Sequence, residues 1–508
     1  MGKTHKTRTA GRPRRDLPLP LLLDTAPGAE PIQRQLTTLV RRLVQRGALA
    51  PGAPLPSSRQ LATQLGVSRT TTELAYEQLR AEGYLESRER RGTYVANALP
   101  DHFVGVEPRS AGAPPAAPSP ARASRRSDAL IALDPTPPGS GHHDVHPFRT
   151  GTPWADPRLT MEIGRRAARL WRRGSHELLY YGEPAGYAPL RAAIARHVAV
   201  ARGVRATAEQ VIITSGAQQA LGVAAQLAFD PGDTVWIEDP GYVGARSAMR
   251  AAGARLAPMD VDEDGLDVDR ARRRAPRARA AYVTPSHQYP LGGTLSAARR
   301  YALLAWARDA HAWIIEDDYD SEFRYATHPL PALQGLDADG RVLYVGTFSK
   351  TLVPALRLGY LVVPRALAAT ARAARAVADR HAPTVEQAVL ASLIDDGSYA
   401  RHVRRMRLAY AERQAVLVEA VHEHLGDVME VAPADAGMHL TGWLKRGWSE
   451  ARVMRVAAEA RVELSSLSRL SLRAPAREAV LLGYAAFSPA ALRRAARHLA
   501  MALHGDRS

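Results

Sequence analysis

Six short apolar runs, separated by stretches of helical period, constrain the fold of this chain more than any other feature. They are VII at 211–213, VWI at 235–237, AYV at 281–283, WII at 313–315, VLYV at 342–345 and YLVV at 360–363; helical patterns at 218–228 and 301–311 fall between them. A strand covered on both faces reads as a continuous apolar run, and joining parallel strands needs a crossover, usually a helix. The expected class is α/β, a mostly parallel sheet with helices on both faces. Ligands of such sheets bind beyond the carboxyl ends of the strands.

The residues with chemical potential sit at those ends. Thr214 leads into Ser215, Gly216, Ala217 and Gln218, a small-residue turn opening a helix, whose free N–H groups suit a phosphate. Glu238-Asp239-Pro240-Gly241-Tyr242 projects an aromatic, for packing or for stacking on a ligand. His287 follows the AYV run in T-P-S-H-Q and reads as a structural or a site histidine. Glu316-Asp317-Asp318-Tyr319-Asp320 suits a metal or a carboxylate that holds a cation, but spacing brings no histidine or further acid to complete a metal site. V-G-T-F-S-K ends at Lys350, with Thr347 and Ser349 beside the amine and Arg357 seven residues on. That set suits an aldehyde carrying a phosphate; alone, a lysine ending a strand is an ordinary solvated residue.

At 508 residues the chain exceeds one core, so two or three domains are expected. It has no cysteine, which removes disulfides, thiol nucleophiles and thiolate-metal sites. No uncharged apolar run reaches the roughly 18 residues of a membrane span, and the basic N-terminus lacks a signal-type apolar core. A cytoplasmic protein is expected. Of the net charge of +17, residues 1–97 carry +8 and the remaining 411 carry +9. Such concentration fits nucleic-acid binding, or an arginine-rich composition with no partner.

Residues 1–28 read as a basic disordered arm. Residues 29–97 read as a small module. A helical period (Ile32, Leu36, Leu39, Val40, Leu43, Val44) stops at Gly47 and Pro51-Gly52. Ser57 and Gln60 form a capping box before a short helix. Gly66 is the turn, and Ser68 caps a helix running to about Glu82. That helix is expected to bury Leu74, Ala75 and Leu79 and to present Arg69, Thr70, Thr71 and Thr72. Two short strands follow, joined by a basic turn at Arg90, Arg91 and Gly92. A polar first turn on the second helix of a helix-turn-helix is the part that reaches base edges in a major groove. Residues 98–150, rich in Pro, Ala and Ser, read as a linker.

The stretch L-P-S-S-R-Q-L-A-T-Q-L-G-V-S-R-T-T, with A-Y-E-Q-L-R-A-E-G-Y-L and R-G-T-Y-V, resembles the winged helix-turn-helix of the GntR regulators. Residues 151–508 resemble the fold-type I aminotransferases, which use pyridoxal 5′-phosphate. The motifs H-Q-Y-P and E-D-D-Y-D-S-E-F-R-Y, behind such a module, resemble the MocR subgroup. The resemblance implies contacts to an operator DNA duplex from Arg59, Ser68, Arg69, Thr70, Thr71, Thr72, Arg90, Arg91 and Gly92. It implies that Lys350 forms the Schiff base with the cofactor, Asp317 binds the pyridine nitrogen and Tyr319 the ring hydroxyl, and Tyr242 stacks on the ring. His287 belongs to the same site. Ala217, Gln218, Thr347, Ser349 and Arg357 would cradle the phosphate, and Tyr181 would reach it from the neighbouring subunit of a homodimer.

Three places depart from the pattern. The wing reads R-R-G-T where G-x-G-T is usual. Leu481 stands where aminotransferases carry the arginine that grips a substrate carboxylate; Arg469 and Arg473 are the nearby substitutes, and Gly244 fills a second arginine position. Loss of that grip removes about 1.5–3 kcal/mol of charge-assisted contact. The expectation is a regulator sensing pyridoxal 5′-phosphate, as in the subgroup controlling vitamin B6 synthesis, or an amino compound, with transaminase activity at most residual. The rivals are an aminotransferase with an appended DNA-binding domain and a regulator whose second domain only dimerises.

Overall fold

In the computed structural model, the described residues are 23–24, 26, 29–88, 92–98, 124, 131, 133, 145–325 and 331–506. The chain forms two compact units, residues 1–122 and 123–508. Most of the expected arm and linker, together with Arg90 and Arg91, lies outside the described residues.

The first unit contains α1 (Ile32–Gln45), α2 (Ser58–Leu65), α3 (Arg69–Ala81), β1 (Leu85–Arg88) and β2 (Gly92–Val95). Ser57 accepts from Gln60 N, and the Gln60 side chain answers Ser57 N, completing the capping box. Gly66 ends α2 in the left-handed region, at φ 66°. Ser68 Oγ accepts from Thr71 N and starts α3. Leu36, Val40, Leu61, Ala75, Tyr76 and Leu79 share one core. Leu74 is not among them and is half exposed. The buried stripe of α3 is Thr72, Ala75, Tyr76 and Leu79, a spacing of three, four and seven, and Leu74 lies off it. Tyr76 takes the core place, donating its hydroxyl to Pro56 O at 3.1 Å.

The second unit holds an eight-stranded sheet: β3 (Val211–Thr214), β4 (Thr234–Asp239), β5 (Arg255–Asp262), β6 (Gly265–Leu266), β7 (Ala280–Val283), β8 (Trp313–Asp318), β9 (Val342–Thr347) and β10 (Gly359–Val362). Their spatial order is 3-10-9-8-7-4-5-6. The run β9-β8-β7-β4-β5 is parallel, whereas β10 pairs antiparallel with both neighbours and β6 antiparallel with β5. Trp236, Ala281, Ile314 and Val342 pack on one face; Ile237, Tyr282, Ile315 and Leu343 pack on the other. Both faces are covered, which is why these strands read as unbroken apolar runs.

A second, antiparallel sheet, ordered β11-β12-β14-β13, follows: β11 (Met429–Glu430), β12 (His439–Leu444), β13 (Ser465–Ser466) and β14 (Ala479–Gly483). It packs with the helices Ser398–Leu425 and Pro489–Gly505 around a separate core. Residues 145–150, expected to end the linker, belong to this folded unit. Phe148 is fully buried, its carbonyl accepts from Gly483 N at 2.7 Å, and Pro147 O accepts from Glu463 N at 2.9 Å. An aromatic with a buried seat overrides the loop-like composition around it.

Candidate functional site

A cavity of about 370 Å³ lies at the carboxyl ends of the parallel strands. Strands β3, β4, β8 and β9 each lead a group to it. β8 ends in Asp317, with Tyr319 and Asp320 just beyond. β9 ends in Thr347, and Ser349 and Lys350 follow. The turn after β4 supplies Tyr242, and the helix after β3, α4 (Ala217–Ala228), supplies Ala217 and Gln218.

Asp317 is the base of the cavity. Tyr282 donates to its Oδ2 at 2.9 Å, while Oδ1 is buried without a partner among the described residues. Burial pushes its carboxyl up to about 7 against the help of the Tyr282 hydrogen bond. Beside it, Tyr319 Oη lies 2.8 Å from His287 Nδ1, which also meets Asp320 Oδ2 at 3.0 Å. His287 is behind the wall rather than on it, and it fixes the Tyr319 hydroxyl.

Lys350 Nζ donates to Gly151 O at 2.9 Å. Desolvation lowers the pKa of this amine, against the pull of Asp320 and Asp317. Gly151 has φ 71°, a backbone conformation that strains any other residue, and a Cβ there would stand 2.9 Å from Lys350 Nζ and displace the amine.

The other end is built for an anion. No side chain caps α4 at Gly216. Arg357, itself at φ 50°, donates to Ser215 O at 2.8 Å and lays its guanidinium across Gly216. Thr347 Oγ1 accepts from Ser349 N at 3.1 Å, which shapes the hydroxyl side of this pocket. Gln218 Nε2 donates to Gly244 O at 2.9 Å, tying α4 to the helix that Tyr242 begins. The arrangement can hold a protonated ring nitrogen, an aldehyde carbon and a phosphate at once.

Of the expected site residues, Ala217, Gln218, Tyr242, Asp317, Tyr319, Thr347, Ser349, Lys350 and Arg357 all line one cavity. Tyr181 does not; it is 82% exposed, with Arg380 stacked 4.9 Å from its ring centroid. Leu481 is fully buried in β14 and offers no polar grip. Arg473 is spent on Asp239 and Asp260, whereas Arg469 is on the cavity wall. Sequence reasoning missed Gly151, Tyr282, Tyr289, His439, Ser465 and Ser466 on the wall. Tyr282 had a signal, a phenol inside an otherwise apolar run; the others come from loops and the second sheet, where spacing says nothing.

In the first unit Arg59, Ser68, Arg69 and Thr70 are exposed and Thr71 is half-buried. Thr72 is not an outward residue. It is fully buried, and its hydroxyl donates to Arg69 O at 2.9 Å and to Ser58 O at 3.1 Å, which ties α3 to the start of α2. Gly92 opens β2 at φ 108°, opposite Arg88. No helix among the described residues is long and apolar enough to cross a membrane.

Comparison with known proteins follows this division. Residues 32–95 match the bacterial regulatory proteins of the gntR family, and residues 156–499 match aminotransferase class I and II. The chain is 39% identical to the probable rhizopine catabolism regulatory protein MocR of Rhizobium meliloti, across 91% of this chain and 92% of that protein. It is 35% identical to the pyridoxine biosynthesis transcriptional regulator PdxR of Corynebacterium glutamicum, across 80% and 82%. Among solved structures, the α-aminoadipate aminotransferase LysN of Thermus thermophilus superposes with a TM-score of 0.65 at 28% identity, covering 76% of this chain and 95% of that one. With a gntR-type module ahead of an aminotransferase-class unit, and regulators of that build matching nearly end to end, the chain belongs to the MocR-type subgroup of the GntR family, DNA-binding transcription regulators with an aminotransferase-like domain.

Proposed function

We propose that the second unit binds pyridoxal 5′-phosphate at Lys350 and that occupancy of this site governs how the winged unit engages its operator. The observation that carries this reading is the pairing, in one cavity, of a buried amine with a buried carboxylate oxygen lacking a partner, Lys350 Nζ and Asp317 Oδ1. An orphaned carboxylate oxygen is costly unless a ligand completes it. A protonated pyridine nitrogen would do so, and the uncapped α4 terminus with Arg357 would take the phosphate.

When bound, this cofactor supplies an electron sink and a reactive carbonyl carbon. The chain's residues do the rest. Asp317 keeps a proton on the ring nitrogen, and Tyr282 fixes the carboxylate for that task. Tyr319, held by His287, aims its hydroxyl at the ring substituent. Burial favours the neutral, nucleophilic form of the Lys350 amine. Tyr242 offers a ring face. Arg59, Ser68, Arg69, Thr70, Thr71 and Gly92 form the DNA surface, with Thr72 as its internal support. A two-fold dimer places one winged unit on each half-site; the exposed cluster of Trp171, Leu179, Tyr180 and Tyr181 supports a partner at that face. The buried, apolar Leu481 weighs against amino-acid turnover.

The test is the absorption spectrum of the purified protein together with operator binding, each with and without pyridoxal 5′-phosphate, for wild type and Lys350→Ala. A visible band that depends on Lys350, with a matching change in operator affinity, supports the reading. A cofactor that changes neither defeats it. Steady conversion of an amino acid and an oxo acid supports the aminotransferase alternative instead.

A further inference from the structure

The winged unit leaves a large apolar side chain on the outward face of α3. The buried stripe of that helix is Thr72, Ala75, Tyr76 and Leu79; the opposite face is Thr70, Leu74, Glu77 and Ala81, all exposed and spaced as neighbours down one side of a helix. Leu74 is 50% exposed, and no other large apolar side chain among the described residues of this unit is as open. A single exposed leucine is ordinary on a protein surface. This one lies on the second helix of a helix-turn-helix, the helix that enters the major groove with its N-terminal residues against base edges.

Several polar groups of the first two turns are already engaged. Thr71 Oγ1 lies 2.7 Å from Ser68 Oγ within the cap, Thr72 is buried, and Arg69 Nε donates to Glu73 Oε1 at 2.8 Å. Opposite the buried stripe, those turns present Thr70, with a methyl and a hydroxyl, and Leu74 one turn on. A further turn along, Glu77 puts a carboxylate on the same face. Its charge repels phosphates. The duplex therefore lies against the first two turns, and Leu74 is the last residue of this face that the groove accepts. On the major-groove edges of B-DNA the apolar group on offer is the C5-methyl of thymine.

We propose that Leu74 packs on the C5-methyl of a thymine in each operator half-site, specifying that base by apolar contact beside the polar contacts of Arg69 and Thr70. The proposal rests on α3 being the helix that reads DNA. Burying one methyl against a leucine is worth about fourfold in affinity. That is small beside the phosphate contacts that set overall binding, but it is confined to one base.

The experiment uses full-length protein and the duplex that it enriches from a pool randomised over the binding site. Wild type is expected to enrich a thymine at one fixed place in each half-site. Replacing that thymine by deoxyuridine removes only the methyl and should weaken binding about fourfold. Leu74→Ala should bind the thymine and deoxyuridine duplexes alike, with its melting temperature and its slope of log affinity on log salt unchanged. Enriched thymines whose methyls all prove dispensable, or a methyl effect that survives Leu74→Ala, overturn the proposal. So does a Leu74→Ala protein that melts lower and loses affinity equally for both duplexes, which makes Leu74 a contact within the protein. A wild type that enriches no sequence fails earlier, at the DNA-binding reading itself.

Discussion

Tyr282 donates its phenolic hydrogen to Asp317 Oδ2 at 2.9 Å and leaves Oδ1 buried and unpartnered. The carboxylate is thereby aimed without being neutralised. Burial pushes Asp317 up and Lys350 down, so both groups of the cavity lean toward their uncharged forms. A ligand that brings a ring N–H to one and a carbonyl carbon to the other completes both.

Asp317→Asn separates stability from binding. The Asp317 carboxyl titrates near 7 in the folded chain against an ordinary 3.8. The native state therefore keeps a proton that the unfolded state loses as pH rises from about 4 to 7, and wild-type stability falls across that window. Cofactor-free Asp317→Asn is expected to melt several degrees above wild type at pH 8, the gap closing as pH falls toward 4, while affinity for pyridoxal 5′-phosphate drops. Melting curves across pH and a cofactor titration check both halves.

Tyr282→Phe removes the donor and strands a second buried carboxylate oxygen. Leaving a buried acceptor unsatisfied costs about 1–3 kcal/mol. Urea denaturation should show that loss, with weaker cofactor binding as Asp317 loses its aim.

Arg202 and Asp318 form a buried ion pair at 2.7 Å, and Tyr344 also donates to Asp318 Oδ2 at 2.6 Å. Arg202→Leu is expected to destabilise the second unit by about 3–5 kcal/mol, because the remaining charge is buried without its cation. Thermal melting measures it, and a loss under 1 kcal/mol would place Asp318 in better contact with water than this geometry allows.

In the winged unit two substitutions three residues apart should behave oppositely. Arg69 makes an exposed pair with Glu73, so Arg69→Ala changes stability by less than about 1 kcal/mol. It should weaken operator binding and reduce the slope of log affinity on log salt by about one. Thr72→Val, losing a buried hydroxyl bonded to Ser58 O, should lower the melting temperature first and DNA affinity only through it. Operator titrations at several salt concentrations tell them apart.

Local rules carried much of the fold. The Ser57–Gln60 capping box, the Ser68 cap and the six apolar runs depend on neighbours within a turn or a strand, and each appears where its spacing puts it. Leu74 went astray because its helix presents a narrow buried stripe, and which residues fill it depends on the docking of α1 and α2. The motifs at the strand ends, from Asp317 to Lys350, were legible because the parallel strands send their carboxyl ends the same way; Arg357 comes from the turn before the antiparallel β10.

The sequence by itself determined the division into a basic helix-turn-helix and an α/β unit, and the set of groups at the strand ends. Hydrophobic period and capping act over a few residues, and the chain's order preserves them. The tertiary structure alone decided which of those ends meet. It put β10 between β3 and β9, brought Tyr282 under Asp317, and closed the wall with Thr150 and Ser465, 315 residues apart. It also spent Arg473 on acids and left Arg469 facing the cavity. Such pairings follow from the packing of distant surfaces, which no local spacing encodes.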